Sequence, residues 1–247
     1  MVRNRETFIG QLQSIEYKVI AFTRKLLGFI DGIYVTNGPL SIYPKKIFDE
    51  VHGFDDKNLT EDIEITWHIV SKGYLVHMSL SSLIYTIAPS NFKAWFKQRI
   101  RWNVGGLQTI KKYKNKWFKC GMLGSFILPF FSFSWMLAIF GILVLIYRIF
   151  RIAILRILSI SYSTKVNVAI LTLREINFSP NALLFFGITT LLMGLFFTLI
   201  ALAYSKEKHF KKQGIFLIFN YTFIYLLLYP LILINSIYKY LRGYKSW

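Results

Sequence analysis

Three long stretches without a charged residue constrain this chain most. Each is longer than the roughly 20 residues that an α-helix needs to cross about 30 Å of hydrocarbon. Helices in the core of a globular protein rarely continue so far without a charge. The stretches cover residues 120–147, 176–205 and 213–238. They predict about three transmembrane α-helices, over about 120–147, 181–205 and 214–238.

The rest of the chain is strongly basic. It has 30 Lys and Arg against 12 Asp and Glu, a formal net charge of +18. Much of this excess flanks the apolar stretches, which favours the headgroups of membrane lipids over nucleic acid as the partner. Five lysines directly before the first stretch, at positions 111, 112, 114, 116 and 119, favour a cytoplasmic location for the residues that precede them. We therefore expect an integral protein of the plasma membrane.

The boundary predicted between the two parts is residue 118, with a transmembrane region at 119–247. One segment of that region, 148–160, interleaves three arginines with isoleucine and leucine. It is compatible with a helix in the plane of the headgroups and with a re-entrant crossing. The sequence does not decide between these two arrangements.

Residues 1–118 predict an α/β domain. An amphipathic helix is expected from Phe8 to Ile30, and further helices over Pro44–Val51, over Asp62–Ser71 and after Asn91. β-Branched and aromatic residues predict short strands at 33–43, 74–78 and 83–86. Helices and strands therefore alternate before the first apolar stretch.

Thr60, Glu61 and Asp62 stand at one of the predicted helix starts. Helix capping alone explains acidic residues there, because Asn58 and Glu61 can form a capping box. Carboxylates in a first turn also gain about 0.3–1 kcal/mol from the helix dipole. This segment alone therefore has a structural explanation, and a functional role needs a second feature.

The second feature is the segment Gln98–Arg99–Ile100–Arg101–Trp102. Gln98, Arg101 and Trp102 are spaced i, i+3 and i+4 and share one helix face, whereas Arg99 points elsewhere. A guanidinium suits phosphate, and an indole suits the apolar face of a sugar ring. The alternative is a basic amphipathic helix that lies on lipid phosphates.

Taken in order, these segments resemble the inverting, family 2 type membrane glycosyltransferases, which include cellulose, chitin, hyaluronan and poly-N-acetylglucosamine synthases. The resemblance rests on residues 13–17, 37–43, 60–74 and 98–102, followed by transmembrane helices. It implies that residues 1–118 are the acceptor-side, C-terminal part of a GT-A type catalytic domain. It also implies transfer of a sugar from a nucleotide-sugar donor to a glycan or lipid-linked acceptor with inversion, in polysaccharide synthesis.

The resemblance also implies roles for individual residues. Asp62, with Glu61 beside it, would be the catalytic base that takes the proton from the acceptor hydroxyl. The substrate-binding residues would be the members of the second segment, which hold the donor diphosphate and border the acceptor site, and a turn that packs close to the acceptor. These are Gln98, Arg99, Arg101 and Trp102, and Gly38 and Pro39.

The chain departs from the family in one respect that matters for the donor. The family binds its nucleotide and a divalent Mg²⁺ or Mn²⁺ through an upstream half with an Asp-x-Asp segment, and none of the 247 residues form such a segment. We therefore predict no metal ligand here and expect a donor-binding half from elsewhere, on a longer or a separate partner chain. The alternatives are a non-catalytic membrane partner or scaffold of a glycan synthase, and a basic membrane protein whose arginines serve only lipids.

Overall fold

The computed structural model describes residues 1–36, 38–166, 182–205 and 214–244. Asn37 of the predicted turn and residue 181 of the second predicted span therefore lie outside the described residues. Within these ranges the chain forms seven α-helices and three short helical turns. The α-helices are α1 (Phe8–Leu27), α2 (Lys45–Glu50), α3 (Glu61–Ser71), α4 (Phe92–Tyr113), α5 (Leu128–Val166), α6 (Ala182–Tyr204) and α7 (Ile215–Leu241). The turns are Gly28–Ile30, Lys114–Lys116 and the π-helical Leu123–Ile127.

The two longest helices before the apolar region begin at side-chain caps. Thr7 Oγ1 accepts a hydrogen bond of 3.1 Å from the Gly10 N–H at the start of α1, and Asn91 Oδ1 accepts one of 2.9 Å from the Ala94 N–H at the start of α4. Both helices carry two basic residues in their last turn, where cations interact favourably with the helix dipole. Their starts are therefore set by local sequence.

The predicted α/β fold is wrong. In the described ranges no strand or sheet forms, and the β-prone segments show only an isolated bridge between Val2 and Thr86. Residues 84–86 are bonded through their backbone to residues 1–3, and residues 34–36 are bonded to helix α3. Trp67 Nε1 of α3 donates to the Tyr34 carbonyl at 3.1 Å, and the Thr36 N–H donates to Thr66 Oγ1 at 3.1 Å.

Among the described residues, three helices are long and apolar enough to cross a membrane, judged by length and composition. They cover Leu123–Lys165, Phe185–Tyr204 and Ile215–Leu241, in agreement with the number and order of the predicted spans. The first differs at its end, because α5 is one helix of 39 residues that continues past residue 147. Segment 148–160 is thus a continuation of α5, and neither a separate in-plane helix nor a re-entrant crossing.

Helix α4 lies between α3 and the last span, α7. The rings of Trp95 and Tyr225 are 5.6 Å apart, and Lys111 Nζ is 5.9 Å from the ring of Tyr240. Because residue numbers increase together along both helices, α4 and α7 run parallel. Helix α1 packs against α7 and also against α6. The amphipathic helices α1 and α4 and the last two spans therefore form one packed unit.

Candidate functional site

The start of α3 presses directly onto α4 at Gly105. A Cβ atom at this glycine would lie 2.2 Å from Oγ1 and 2.8 Å from Cβ of Thr60, distances that no real side chain adopts. Glycine is therefore required for the close approach of the two elements. The contact joins Thr60, which directly precedes Glu61 and Asp62, to the helix that carries residues 98–102.

The Asn58 side chain stabilises the contact between the start of α3 and α4. Its Oδ1 accepts a hydrogen bond of 2.9 Å from the Thr60 N–H, and its Nδ2 donates one of 2.9 Å to Thr109 Oγ1 on α4. Thr60, and not Asn58, is the N-cap residue of α3. The capping box predicted from Asn58 and Glu61 is therefore wrong, since the Asn58 side chain instead joins the two elements.

We expect Asn58→Ala to lower the free energy of unfolding by about 1–3 kcal/mol, because it leaves buried partners without hydrogen bonds. For a chain of this size that corresponds to a fall of roughly 2–10 °C in Tm. The measurement is thermal unfolding of the purified chain in detergent. Asn115→Ala, at an exposed position, is the matched control, and an equal Tm for both variants would contradict the role of Asn58.

The same face of α3 is fixed further along by a buried carboxylate. Glu64, 1% exposed, accepts a hydrogen bond of 2.8 Å from the Tyr113 hydroxyl and pairs with Lys112 Nζ at 2.7 Å. Lys112 also pairs with Asp55 Oδ2 at 2.7 Å. Charged pairs thus join α3 to the last turn of α4, and the orientation of α3 is determined at both ends of the contact.

Asp62 is half-buried in the first turn of α3. Burial raises the pKa of its carboxyl above the usual value, and the charge of Glu61 adds to this. The backbone hydrogen bond from Ile63, 2.9 Å long, and the charge of Arg24 lower the pKa and partly oppose burial. The result is a carboxylate that binds a proton more strongly than an exposed one.

Arg24, at the end of α1, is a site residue that the sequence did not indicate. Burial lowers the pKa of its guanidinium, while the Tyr34 side chain, to which it is hydrogen-bonded, and Asp62 both raise it. The only sequence signal is its place on an amphipathic helix, one heptad after Tyr17. A basic residue of α1 therefore lies close to the candidate base.

In the structure, the members of segment 98–102 have different neighbours. Gln98 is hydrogen-bonded to the Tyr17 side chain of α1. Arg101 lies one helical turn before Gly105 and shares its face of α4, which is the face that contacts Thr60. The guanidinium of Arg99 lies 4.1 Å from the centroid of the half-buried Trp102 ring. Arg101 and Trp102 thus lie about one helical turn before the α3 contact, and Gln98 about two turns before it.

Arg99 points into the protein. Its side chain is buried, at 1% exposure, and it pairs with Glu16 of α1. Burial acts to lower the pKa of Arg99, but the interactions with Glu16 and with nearby tyrosines together outweigh it, and the pKa is raised. The predicted contact of Arg99 with the donor stays a prediction, and the contacts seen here are to protein groups.

Gly38 and Pro39 lie in an exposed turn. Gly38 has a φ of +58°, in the left-handed region that favours glycine, and its carbonyl accepts a hydrogen bond of 3.3 Å from the Ser41 N–H. The turn follows Thr36, whose N–H donates a hydrogen bond to Thr66 of α3. Its assignment to the acceptor stays a prediction.

A metal site needs several ligating side chains that lie close together. No group of three or more His, Cys, Asp or Glu side chains comes together in that part of the chain. The residues described therefore do not by themselves fit the Mg²⁺ or Mn²⁺ that the resemblance implies. The chemistry that they can supply is proton transfer and electrostatic stabilisation.

The family of the chain follows from comparison with known families. The model of Glycosyl transferase family group 2 matches residues 32–238, which include α3, α4 and most of the last span. This chain belongs to that family. The segments Thr60–Asp62 and Gln98–Trp102 both fall inside the match, and Glu16 and Arg24 of α1 lie before it.

Two relatives within this glycosyltransferase family are poly-β-1,6-N-acetyl-D-glucosamine synthases. The protein of Staphylococcus epidermidis is 23% identical over an alignment that covers 100% of this chain and 58% of the relative. The protein of Staphylococcus aureus (strain COL) is 24% identical over 44% of this chain and 27% of the relative. The chain thus spans little more than half the length of a relative that it matches throughout. No solved structure matches the chain.

Proposed function

We propose that this chain forms the acceptor side and the membrane region of a glycosyltransferase that adds N-acetylglucosamine to a growing β-1,6-linked glycan. The observation that carries the proposal is the contact of Thr60 with Gly105, which joins the start of α3, with Asp62 in its first turn, to the helix that carries Gln98–Trp102. The relatives' names support the choice of sugar and linkage. The donor would be a nucleotide sugar, and a divalent metal would be held by residues outside those described.

Asp62 would act as the general base. The acceptor hydroxyl attacks the anomeric carbon, the bond from that carbon to the diphosphate oxygen breaks, and the hydroxyl proton passes to Asp62. A single displacement of this kind inverts the anomeric configuration. A raised pKa makes the carboxylate a stronger base, and a positioned base contributes about 10²–10⁴-fold to the rate.

The cationic and aromatic groups of α1 and α4 would serve the two substrates. Arg101, with Gln98 one turn earlier, is suited to the departing diphosphate, whose charge increases as the bond breaks. The half-buried Trp102 would border the acceptor sugar. Arg24 supports ionisation of Asp62 through its charge.

The membrane placement that we propose follows the charges. Lysines at the end of α4 and just after it precede the first span, and such clusters favour the cytoplasmic side and its anionic lipids. The catalytic part would then face the cytoplasm, where nucleotide sugars are made. The three spans would anchor it in the plasma membrane.

Sugar transfer in membranes tests this function. Membranes that contain the chain, alone or together with the N-terminal part of the S. epidermidis synthase, are incubated with radiolabelled UDP-N-acetylglucosamine or UDP-glucose. We expect polymer from UDP-N-acetylglucosamine that a β-1,6-N-acetylglucosaminidase degrades. Polymer from UDP-glucose would overturn the choice of sugar. A lack of polymer in every combination would favour the non-catalytic partner or scaffold.

The pH dependence of transfer tests the role of Asp62. A base works only when ionised, so activity is lost as pH falls through its pKa, and burial moves this loss above the usual value of 3.8. We expect Arg24→Met to move the midpoint higher still, because it removes the opposing charge while that of Glu61 remains. The measurement is kcat/KM between about pH 4 and pH 8, with Lys25→Met as control. A midpoint that Arg24→Met leaves unchanged would contradict this role of Arg24.

A further inference from the structure

A charged cluster is buried where α1, α4 and α7 meet. Glu16 and Arg99 are 2% and 1% exposed and form an ion pair. The Tyr225 hydroxyl donates a hydrogen bond of 2.9 Å to Glu16 Oε2, and the Tyr229 hydroxyl donates one of 2.6 Å to Oε1. Both carboxylate oxygens therefore have partners from the last span.

Tyr225 and Tyr229 lie near the middle of α7, a helix with the length and composition of a membrane span. Ionisable groups against the middle of such a helix are costly and mark functional positions. Glu16 and Arg99 are contributed by α1 and α4, so three helices are required to form the cluster. The four residues therefore come together only when α1, α4 and α7 pack against one another.

Arg99 connects the pair to the proposed site. Its guanidinium carbon lies 4.1 Å from the ring centroid of Trp102 and 5.6 Å from that of Trp95, distances at which a cation is attracted to an aromatic face. One face of Trp102 is therefore covered by a group whose position Glu16 determines. Movement of Arg99 would release the indole that borders the acceptor in the proposed function.

We propose that Glu16 is a positioning residue for sugar transfer. It holds Arg99 against Trp102, and the hydroxyls of Tyr225 and Tyr229 hold Glu16, so the last span sets the geometry of the acceptor side. This inference rests on the proposed function. Glu16 has no role in proton transfer, because both of its oxygens accept hydrogen bonds from protein donors.

Activity of variants of the full chain tests the inference, in the membrane assay described above. Glu16→Gln is expected to lower kcat by about 10²-fold, since small misplacements near the chemistry have effects of this size. The KM for the nucleotide sugar should change by less than about twofold, because the donor does not touch Glu16. Tyr225→Phe with Tyr229→Phe should lower kcat in the same way. Glu50→Gln, at an exposed carboxylate paired with Lys72 at 3.9 Å, is the control.

A double variant separates positioning from direct substrate binding. If Glu16 acts through Arg99, then Glu16→Gln combined with Arg99→Met lowers kcat no further than Arg99→Met alone. Losses that multiply, or a KM that rises with Glu16→Gln while kcat stays within about twofold, would overturn the inference.

Thermal unfolding supplies a readout that does not depend on transfer. Removal of one partner leaves a buried charge unpaired, so each single variant should lower Tm by at least about 5 °C and the double variant by less than either. Additive losses of Tm would overturn the pairing. Failure of the proposed function would appear differently, as an unaltered chain without transfer whose variants still show the coupled Tm values.

Discussion

Asp62→Asn is expected to abolish sugar transfer and to leave the protein folded in the membrane. The amide cannot accept the proton of the acceptor hydroxyl, so the base contribution of about 10²–10⁴-fold is lost. Stability should not fall. A carboxyl whose pKa is raised in the folded state binds protons more tightly when folded than when unfolded, so its ionisation above that pKa destabilises the fold. A neutral amide removes this cost.

The variant is measured by incorporation of labelled sugar in membranes, with Tm as the control for folding. Asp56→Asn changes an exposed acid a few residues earlier and should be as active as the unaltered chain. Glu61→Gln should have a smaller effect than Asp62→Asn, because Glu61 acts on Asp62 only through its charge. Transfer by Asp62→Asn within about tenfold of normal would show that another group is the base.

Gly105→Ala is expected to reduce transfer by about 10²-fold through geometry alone. The new Cβ would lie between 2.2 and 2.8 Å from three atoms of Thr60, so α3 must move away from α4 and take Asp62 with it. A misplacement of about 1 Å near the chemistry is enough for a loss of this size. Overpacking should also lower the free energy of unfolding by about 1–3 kcal/mol.

The control for Gly105→Ala is Gly141→Ala on α5, where nothing lies within 4 Å of an added Cβ and alanine favours the helix. A second change tests the cause. Thr60→Gly removes the three clashing atoms, and glycine at an N-cap costs only a few tenths of a kcal/mol. The double variant should therefore regain much of the activity. Normal transfer by Gly105→Ala alone would show that the contact is not needed for the reaction.

The elements that sequence predicted well are those with local signals. Helices α3 and α4 begin next to polar residues and carry apolar residues at helical spacing, and the spans are marked by the absence of charge. The strands failed for a physical reason. β-Branched and aromatic residues near Tyr34 suit a strand, but a sheet needs neighbouring strands, and here Trp67 and Thr66 of α3 take the backbone hydrogen bonds instead.

The residues of the candidate site likewise differ in whether a local sequence signal indicates them. Asp62 and the members of segment 98–102 could be named in advance because each lies in a short contiguous motif. Arg24 and the pairing of Glu16 with Arg99 could not, because these contacts join positions that are far apart in sequence. The two residues of the ion pair are 83 positions apart. The spacing of apolar residues within one helix does not indicate which residue of another helix will contact it. Such residues become visible only after the helices are packed.

The long separation of α7 from α1 in the sequence affects how the protein is made. Tyr229 follows Glu16 by 213 positions, and a ribosome adds about 5–20 residues per second. Roughly 10–40 s therefore pass between the synthesis of Glu16 and that of its last partner. During this interval the carboxylate and the guanidinium of Arg99 must remain hydrated or be shielded by other factors. Assembly of this cluster thus waits for insertion of α7, and a ribosome that stops before α7 releases a chain in which Glu16 and Arg99 lack their tyrosine partners.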